Sequence, residues 1–433
     1  MALGYTDRRV DYLLIGGGLA AATAAEEIRK QDTQGSILIL TDDSHLPYHR
    51  PPLSKEYLRG EIGPDGIYGS GGVYVQLPEW YTEQHVEVLR GVEATALDTR
   101  ARTVRLADGR TFGFQMLLLA TGGRPRRLNV AGADLPGVHV LRTLSDADAI
   151  RVQLTEGKRV VVVGSGFIGL ETAASALSKG AQVTIVELLE RAWPTLVSPE
   201  LSEYFQGQFS RRGAVLRYGH NVTGFVAGPD GHLAGVRIAP TSGAGQAEEI
   251  PCDLAIVGVG IQLNTELAAS AGLEVDARHG IVVDERLETR AAGVFVAGDA
   301  AAYPDPLGGR MHFEHWDNAI ASGQAAGINM ARGDEPYRHV PYFFSDQFNL
   351  SINMLGYQSS EAQIVIRGDM TKDAFTALYV QNGVLRAALM VNDDAQMDLI
   401  RELIADSVSV PKDPQQMADS SFDLASLLMP RRR

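Results

Sequence analysis

Three glycines and one acid stand at a spacing that could bind a ligand. Gly164, Gly166 and Gly169 form G-x-G-x-x-G between an apolar run and a helix-forming segment. The first glycine permits a tight turn, the second lets the backbone approach a pyrophosphate, and the third lets the helix pack on the strand. Glu187 ends the next apolar run, where a carboxylate binds ribose hydroxyls and repels a 2'-phosphate. The stretch 160–187 therefore predicts a nucleotide-binding βαβ unit that favours NADH over NADPH.

The same pattern occurs a second time near the start of the chain. Gly16, Gly18 and Ala21 give the variant G-x-G-x-x-A after a short apolar run. The next apolar run ends before Asp42 and Asp43, and Asp42 stands where an adenosine-ribose acid is expected. Two units imply two dinucleotides, and the economical assignment is FAD plus NAD(P)H.

Three more buried strands end in turns of small residues, near 120, 260 and 298. Such turns let a flat ligand or its phosphates approach the backbone. The candidate cofactor residues in these turns are Ala120, Thr121, Gly122, Gly260, Gly298 and Asp299. Asp299 suits the ribityl hydroxyls of a flavin, and the alternative is an N-cap.

Transfer of a hydride between two such cofactors needs stacked rings and a charge near the flavin. Phe167 stands inside the second glycine turn, and Glu171 follows on the same helical face. Prolines 47, 51 and 52 forbid a regular helix, so we expect a rigid loop that carries Lys55, a candidate partner for Glu171. The alternatives are helix–strand packing for Phe167 and solvated surface charges for Lys55 and Glu171.

Composition limits the possible classes of protein. The chain has 433 residues with 45% hydrophobic residues, and we find no apolar run long enough to span a membrane. A formal charge of −14 argues against a general nucleic-acid binder, although it also serves solubility. The single cysteine, Cys252, excludes a disulfide within the chain or a C-x-x-C pair and favours a cytoplasmic location. His312 and His315 lack further ligands at metal spacing, so no metal site is predicted.

In the predicted domain organisation, the second βαβ unit is inserted into the first domain. Strands before about 115 and after about 250 are expected to share one sheet, and a helix over 316–332 closes that domain. Alternating segments near 350–357, 374–380 and 384–391, the last two around Asn382-Gly383, predict antiparallel strands before a helix over 395–405. The predicted domains are FAD-binding (1–118 and 246–330), NADH-binding (119–245) and C-terminal (331–433).

In these residues and motifs, the chain resembles the oxygenase-coupled NADH–ferredoxin reductases, of the putidaredoxin-reductase type, and the related apoptosis-inducing factor. The resemblance covers about 10–430 and is carried by LPYHRPPLSK, LLLATGGRPRRL, VVVGSGFIGLE, GVFVAGDAA, FEHWDNA and FFSDQFNL. It implies an α/β, glutathione-reductase-like fold with two Rossmann-type domains and a C-terminal α+β domain with an antiparallel sheet. It also implies that Lys55 and Glu171 form an ion pair beside flavin N5.

The resemblance further implies three sets of binding residues. The FAD set is Gly16, Gly17, Gly18, Leu19, Ala20, Ala21, Asp42, Arg50, Lys55, the backbone at Val92, Arg142 and Asp299. The NADH set is Gly166, Phe167, Ile168, Gly169, Glu187, Gly260 and Glu314. Asp43 and Gly164 are further candidate cofactor-binding residues because they belong to the two nucleotide-binding patterns themselves. His315, Trp316 and Phe344 are implied to flank the isoalloxazine.

The chain departs from that family at a few positions. Phe344 replaces a usual Trp, and the segment 260–264 lacks the family's Arg and Pro. His312 stands where an Arg is expected, and the segment 392–398 is acidic.

We therefore expect an FAD-dependent NADH oxidoreductase that passes single electrons to a small iron–sulfur ferredoxin, as a monomer or homodimer. One alternative is an apoptosis-inducing-factor-like oxidoreductase or redox sensor with a long-lived charge-transfer complex and a quinone or other acceptor. A disulfide reductase is excluded by the cysteine count.

Overall fold

The computed structural model describes residues 8–194, 196–243, 245–304, 309–359 and 361–428. The predicted first domain starts and the predicted third domain ends outside these residues. The helices within them are α1 (Leu19–Gln31), α2 (Glu56–Arg59), α3 (Pro78–Glu83), α4 (Leu144–Arg151), α5 (Phe167–Ser178), α6 (Pro199–Ser210), α7 (Glu266–Ser270), α8 (Trp316–Met330) and α9 (Met397–Ala405).

The strands of the first half are β1 (Arg8–Ile15), β2 (Ile37–Leu40), β3 (Val86–Leu89), β4 (Ala94–Asp98), β5 (Thr103–Leu106), β6 (Thr111–Leu119), β7 (Gly123–Pro125), β8 (Val138–Val140), β9 (Arg159–Val163), β10 (Gln182–Val186), β11 (Val215–Arg217), β12 (His220–Ala227) and β13 (Leu233–Pro240). Those of the second half are β14 (Glu248–Pro251), β15 (Leu254–Val257), β16 (Ile261–Leu263), β17 (Val275–Asp276), β18 (Gly280–Val282), β19 (Val294–Val296), β20 (Ala301–Pro304), β21 (Arg310–Met311), β22 (Tyr342–Gln347), β23 (Leu350–Gly356), β24 (Gln363–Asp369), β25 (Ala374–Gln381) and β26 (Val384–Val391).

The chain divides into two compact units. The first comprises residues 1–51, 62–124 and 261–339, and the second comprises 52–61, 125–260 and 340–433. The predicted division into three domains stays a prediction.

The first unit is built on a sheet in the order β3-β2-β1-β6-β5-β4, with β19 also paired to β6. β1, β2 and β3 run parallel, and β19 runs parallel to the last residues of β6. β2 and β19 are entirely apolar and buried, and so are the last three residues of β1 and β6, as expected for strands covered on both faces. Parallel strands end at the same edge, so the turns after β1, β6 and β19 share one edge of this sheet.

The second unit contains a parallel sheet in the order β11-β10-β9-β15-β8 and a separate antiparallel sheet in the order β12-β13-β14. Its C-terminal part is an antiparallel sheet in the order β22-β23-β26-β25-β24. α9 packs on that sheet through Ile400, Leu403 and Ile404, which join its buried apolar cluster. The hairpin predicted around Asn382-Gly383 is confirmed as β25 and β26.

One local prediction holds only in part. The sequence predicts that the strands after about residue 250 share the first sheet, and β19 does so by pairing with β6, whereas β15 pairs with β8 and β9 in the second sheet. An apolar run of four buried residues fits a central position in either parallel sheet, so periodicity alone does not assign it. Lys55 lies in a turn between a 3-10 helix, Pro51–Ser54, and α2, so the segment around it is more regular than the predicted loop. Proline is compatible with the first turn of such elements.

No helix in the described parts of the chain has the length and apolar character needed to cross a membrane.

Glycines let α1 and α8 pack closely in the first unit. A Cβ at Gly323 would lie 2.6 Å from the carbonyl oxygen of Ala20, and one at Gly327 would lie 2.8 Å from that of Ala24. Both distances are below any normal contact, and the obstructing atoms belong to helix backbone. The two helices can therefore keep this spacing only while both positions lack a side chain.

We expect Gly323→Val to destabilise the protein by about 1–3 kcal/mol, because the backbone of α1 must move away from the new side chain. Gly63→Val is the matched control, since a Cβ at Gly63 meets no atom within 4 Å. Thermal unfolding followed by circular dichroism measures the effect. Equal melting temperatures for the two variants would show that the α1–α8 contact does not limit stability.

Candidate active site

The first glycine turn joins β1 to α1 and leaves its backbone open. Gly16 has a φ of +119°, and a Cβ there would lie 2.1 Å from the carbonyl oxygen of Ala120. A Cβ at Gly18 would meet nothing within 4 Å, and α1 begins at the next residue. The open position, followed by the N-terminus of a 13-residue helix, fits a dinucleotide pyrophosphate.

The two acids after β2 differ in their contacts. Asp42 is exposed, whereas Asp43 accepts hydrogen bonds from the Tyr48 hydroxyl (2.8 Å) and the His45 amide (3.0 Å). Asp43 therefore shapes the loop, and Asp42 is the acid left available for an adenosine ribose. The Val92 amide donates to the Thr41 carbonyl (2.8 Å), so a cofactor contact at this position would fall to another backbone atom.

The turns after β6 and β19 lie side by side, because Leu119 is paired with Val296. Gly122 and Gly298 have φ values of +58° and +75°, which favour glycine. The Gly298 amide donates to the Ser322 hydroxyl (2.8 Å), and Asp299 follows in a short 3-10 turn. Ala120 and Thr121 complete this edge, where the small side chains fit the close approach of a ligand.

An aromatic group of the first unit contains Trp316, one of the residues predicted beside the flavin. Trp316 donates its indole N–H to Nδ1 of His49 (2.7 Å), and the His49 ring packs on Tyr68 at 4.6 Å between ring centroids. Burial lowers the pKa of His49 to about 4, so Nδ1 remains an acceptor at neutral pH. Burial also lowers the pKa of His315.

Arg50 and Glu314 border this aromatic group in sequence. Arg50 is partly buried directly after His49. Glu314 is exposed and lies 3.3 Å from Nε2 of His312. Their predicted contacts with FAD and NADH stay predictions.

The second glycine turn, in the second unit, repeats the design of the first. Gly164 has a φ of +97°, and its Cβ would lie 2.3 Å from the carbonyl oxygen of Gly258. Gly166 is open, and a Cβ at Gly169 would lie 2.0 Å from the Gly164 carbonyl oxygen. The conformation and surroundings of each glycine thus fit the role that the spacing predicts. The 12-residue helix α5 begins at Phe167, directly after the open position.

Glu187 directly follows β10 and lies beside this turn. Its carboxylate accepts hydrogen bonds from the amide of Ser165 (2.6 Å) and from the amide of Leu189 (2.9 Å). The acid is therefore held at the mouth of the turn, as expected for a group that binds ribose hydroxyls.

Phe167 belongs to an aromatic cluster within the second unit. Its ring centroid lies 4.1 Å from that of Phe343 and 4.9 Å from that of Trp193. Such contacts agree with the packing alternative for Phe167, and its predicted role at the nicotinamide stays a prediction. Ile168 is 43% exposed at the start of α5. Gly260 has a φ of +87°.

Lys55 and Glu171 form a buried ion pair in the second unit. The Lys55 ammonium lies 2.9 Å from Oε2 of Glu171, and their side chains are 3% and 4% exposed. The hydroxyl of Ser54 donates to the same oxygen, and that of Ser345 donates to Oε1 (2.8 Å). The sequence predicts the pair but not the hydroxyls. A buried pair of charges is tolerated only when such hydrogen bonds satisfy it.

Two further residues adjoin this ion pair. The Lys55 ammonium lies 5.4 Å from the centroid of the Phe344 ring, within the range of a cation–π contact. Burial raises the pKa of Asp346, and the charge of Glu171 adds to the rise while that of Lys55 opposes it. The second unit thus collects several charges around one buried lysine.

Arg142 precedes α4, and its amide donates to Asp146 (3.0 Å) next to the Thr143 N-cap. The predicted contact between Arg142 and FAD stays a prediction.

Sequence reasoning missed the hydroxyls of Ser54 and Ser345 and the acceptor His49. Ser54 adjoins Lys55 and Ser345 adjoins Phe344, so both stand beside residues that the sequence singles out. Hydroxyl residues are too common for their type to be a signal, and only the tertiary structure shows their partners.

The fold and the two open glycine turns define a dinucleotide-binding oxidoreductase. The chain belongs to the pyridine nucleotide-disulphide oxidoreductase family, whose model matches residues 10–323, and a reductase C-terminal domain matches residues 342–428.

Relatives match the chain along almost its whole length. It is 34% identical over 425 residues to the ferredoxin–NAD(+) reductase component of the anthranilate 1,2-dioxygenase system of Burkholderia cepacia, covering 96% of this chain and 99% of the relative. A ferredoxin reductase structure from Rhodopseudomonas palustris has 36% identity and a TM-score of 0.87, covering 96% and 99%. The structure of a covalent putidaredoxin reductase–putidaredoxin complex has 31% identity and a TM-score of 0.88, covering 98% of each chain.

These findings confirm the predicted family, the fold class and the cofactors FAD and NADH. The protein is an NADH-dependent flavoprotein reductase. The geometry of the glycine turns after β1 and β9 fits two such nucleotides.

The lowered pKa of His49 predicts a pH dependence of stability. An unfolded histidine titrates near pH 6.5, so between about pH 6.5 and 4 the unfolded state binds more protons than the folded state. Stability should therefore fall as the pH drops through this window, by on the order of 2–3 kcal/mol from this group. His49→Asn keeps an acceptor for Trp316 and does not titrate.

The test compares the free energies of unfolding of wild type and His49→Asn from pH 7.5 to 4. We expect the wild type to lose more stability on acidification, and His232→Asn at an exposed position to follow the wild type. Parallel curves for wild type and His49→Asn would contradict the assignment.

Proposed function

We propose that the protein passes electrons from NADH to a small iron–sulfur protein that serves an oxygenase or a cytochrome P450. The relatives named above are ferredoxin reductases, and one of them was solved in complex with putidaredoxin. The observation that carries the proposal within this chain is the presence of two open glycine turns, each after a parallel strand of a separate sheet.

FAD, when bound, accepts the hydride of NADH as an electron pair and returns the electrons singly to a one-electron acceptor. The chain must hold both nucleotides, exclude water and keep a fixed charge near the reaction. We propose that the ion pair of Lys55 and Glu171 supplies that charge. Ser54 and Ser345 hold the carboxylate, so the lysine keeps one position without being exposed to water.

Specificity for NADH is proposed to lie in Glu187. An ionised carboxylate accepts hydrogen bonds from the ribose hydroxyls, whereas it repels the 2'-phosphate of NADPH.

The proposal also includes the kind of protein that accepts the electrons, a small iron–sulfur protein. The segment 392–398 is acidic, and His312 stands in place of an expected Arg. We therefore expect electron transfer to the ferredoxin to depend less on salt concentration than it would across an interface with many basic residues. The cytoplasmic location and the state as a monomer or homodimer stay predictions from the sequence.

The test is a stopped-flow experiment with the flavin-loaded protein. NADH should bleach the flavin rapidly, and cytochrome c reduction should become fast only when a [2Fe–2S] ferredoxin is added. Turnover that is slow with every iron–sulfur acceptor but fast with a quinone would support the alternative redox enzyme and contradict ferredoxin reduction.

We expect Lys55→Met and Glu171→Gln each to slow flavin reduction by NADH by about 100-fold, because the preorganised charge is lost. Each single change should also destabilise the protein by about 3–5 kcal/mol, since the remaining charge is buried without its partner. The double variant should regain part of that stability but not the rate.

Lys372→Met is the matched control, because that lysine pairs with Asp369 (3.2 Å) while its side chain is 79% exposed. Stopped-flow reduction and chemical unfolding measure rate and stability separately. An unchanged rate in Lys55→Met would remove the ion pair from the reaction.

A further inference from the structure

Most of the hydrogen-bonding capacity of Glu187 is used by the protein itself. Oε2 accepts from the amide of Ser165 (2.6 Å) and from its hydroxyl (3.0 Å), and Oε1 accepts from the amide of Leu189 (2.9 Å). A carboxylate offers about four lone-pair positions. Three of them are therefore occupied, and the remaining one, on Oε1, is available for a ribose hydroxyl.

Ser165 is the variable residue between the first two glycines of the second turn. It is 2% exposed, so its hydroxyl has little contact with water. Any residue except proline would supply the amide hydrogen bond at this position, but the second hydrogen bond needs a hydroxyl. The hydroxyl of Ser165 thus restrains the orientation of the Glu187 carboxylate, which the glycines of the motif cannot do.

We propose that Ser165 is a positioning residue that sets the preference for NADH over NADPH by fixing the carboxylate of Glu187. The inference rests on the proposed function, in which Glu187 binds the adenosine ribose. A carboxylate held in one place both accepts a hydrogen bond from the ribose and repels a 2'-phosphate. If the carboxylate can rotate away, its hydrogen bond to the ribose is lost and its repulsion of a 2'-phosphate is weakened.

The test measures binding of NAD⁺ and NADP⁺ to the flavin-loaded protein by calorimetry, with steady-state kinetics for NADH beside it. Ser165→Ala should weaken NAD⁺ binding by about 10-fold, the size expected for one hydrogen bond to a charged group. NADP⁺ binding should weaken less or improve, so the ratio of the two affinities falls. KM for NADH should rise while kcat at saturation stays the same.

Ser165→Ala should not alter the ratio once Glu187→Gln has removed the charge, because Ser165 acts only through Glu187. A residue with a merely structural role would not show this dependence.

Ser165→Gly is a second variant that lacks the hydroxyl and keeps the turn, in case Ser165→Ala folds poorly. Ser178→Ala is the control, since that hydroxyl donates to the Ala174 carbonyl (2.8 Å) in the same helix, α5. It should leave both affinities unchanged.

Equal losses of NAD⁺ and NADP⁺ affinity in Ser165→Ala, or no loss, would overturn the inference. Failure of the proposed function has a different signature, because a wild-type chain that binds NAD⁺ but whose flavin is not reduced by NADH contradicts that function alone. A wild-type chain that binds neither nucleotide contradicts both.

Discussion

The structure depends on one constraint, which is that the backbone at the ends of two parallel strands must be free of side chains. At Gly16 and Gly164 an added Cβ would lie 2.1 and 2.3 Å from a carbonyl oxygen that follows the neighbouring strand. Both glycines have a φ that other residues rarely adopt, and both are followed three residues later by the first residue of a helix. The same local solution therefore occurs once in each compact unit. It orients a helix N-terminus and several amides toward the place where a pyrophosphate binds.

The buried ion pair imposes a second constraint, within the second unit. Lys55, Glu171 and Ser345 belong to three separate segments of the chain, and the pair is satisfied only when all three are in place. Since the desolvation of two charges offsets most of their attraction, we ascribe to the pair a defined position for the lysine rather than a large gain in stability. Function and folding thus use the same contacts, and a loss of either charge should affect both.

Much of the fold follows from local pattern, while the partners of the key side chains do not. The two glycine turns, the hairpin at Asn382 and the pairing of Lys55 with Glu171 were predictable, the last because the resemblance supplied a contact between distant residues. The membership of β15 in the second sheet was not, because four buried apolar residues carry no information about their neighbours. The hydroxyl of Ser345 was missed for a related reason, since a serine has a specific partner only in the folded chain.

The central claim is that one chain binds two different dinucleotides at two glycine turns. The most direct measurement is a calorimetric titration of the flavin-loaded protein with NAD⁺, with the FAD content of the same sample determined after denaturation. The account predicts one tightly held FAD and one NAD⁺ bound per chain, with no FAD released during the titration. A flavin-loaded chain that binds no NAD⁺, or that releases FAD as NAD⁺ binds, would contradict it.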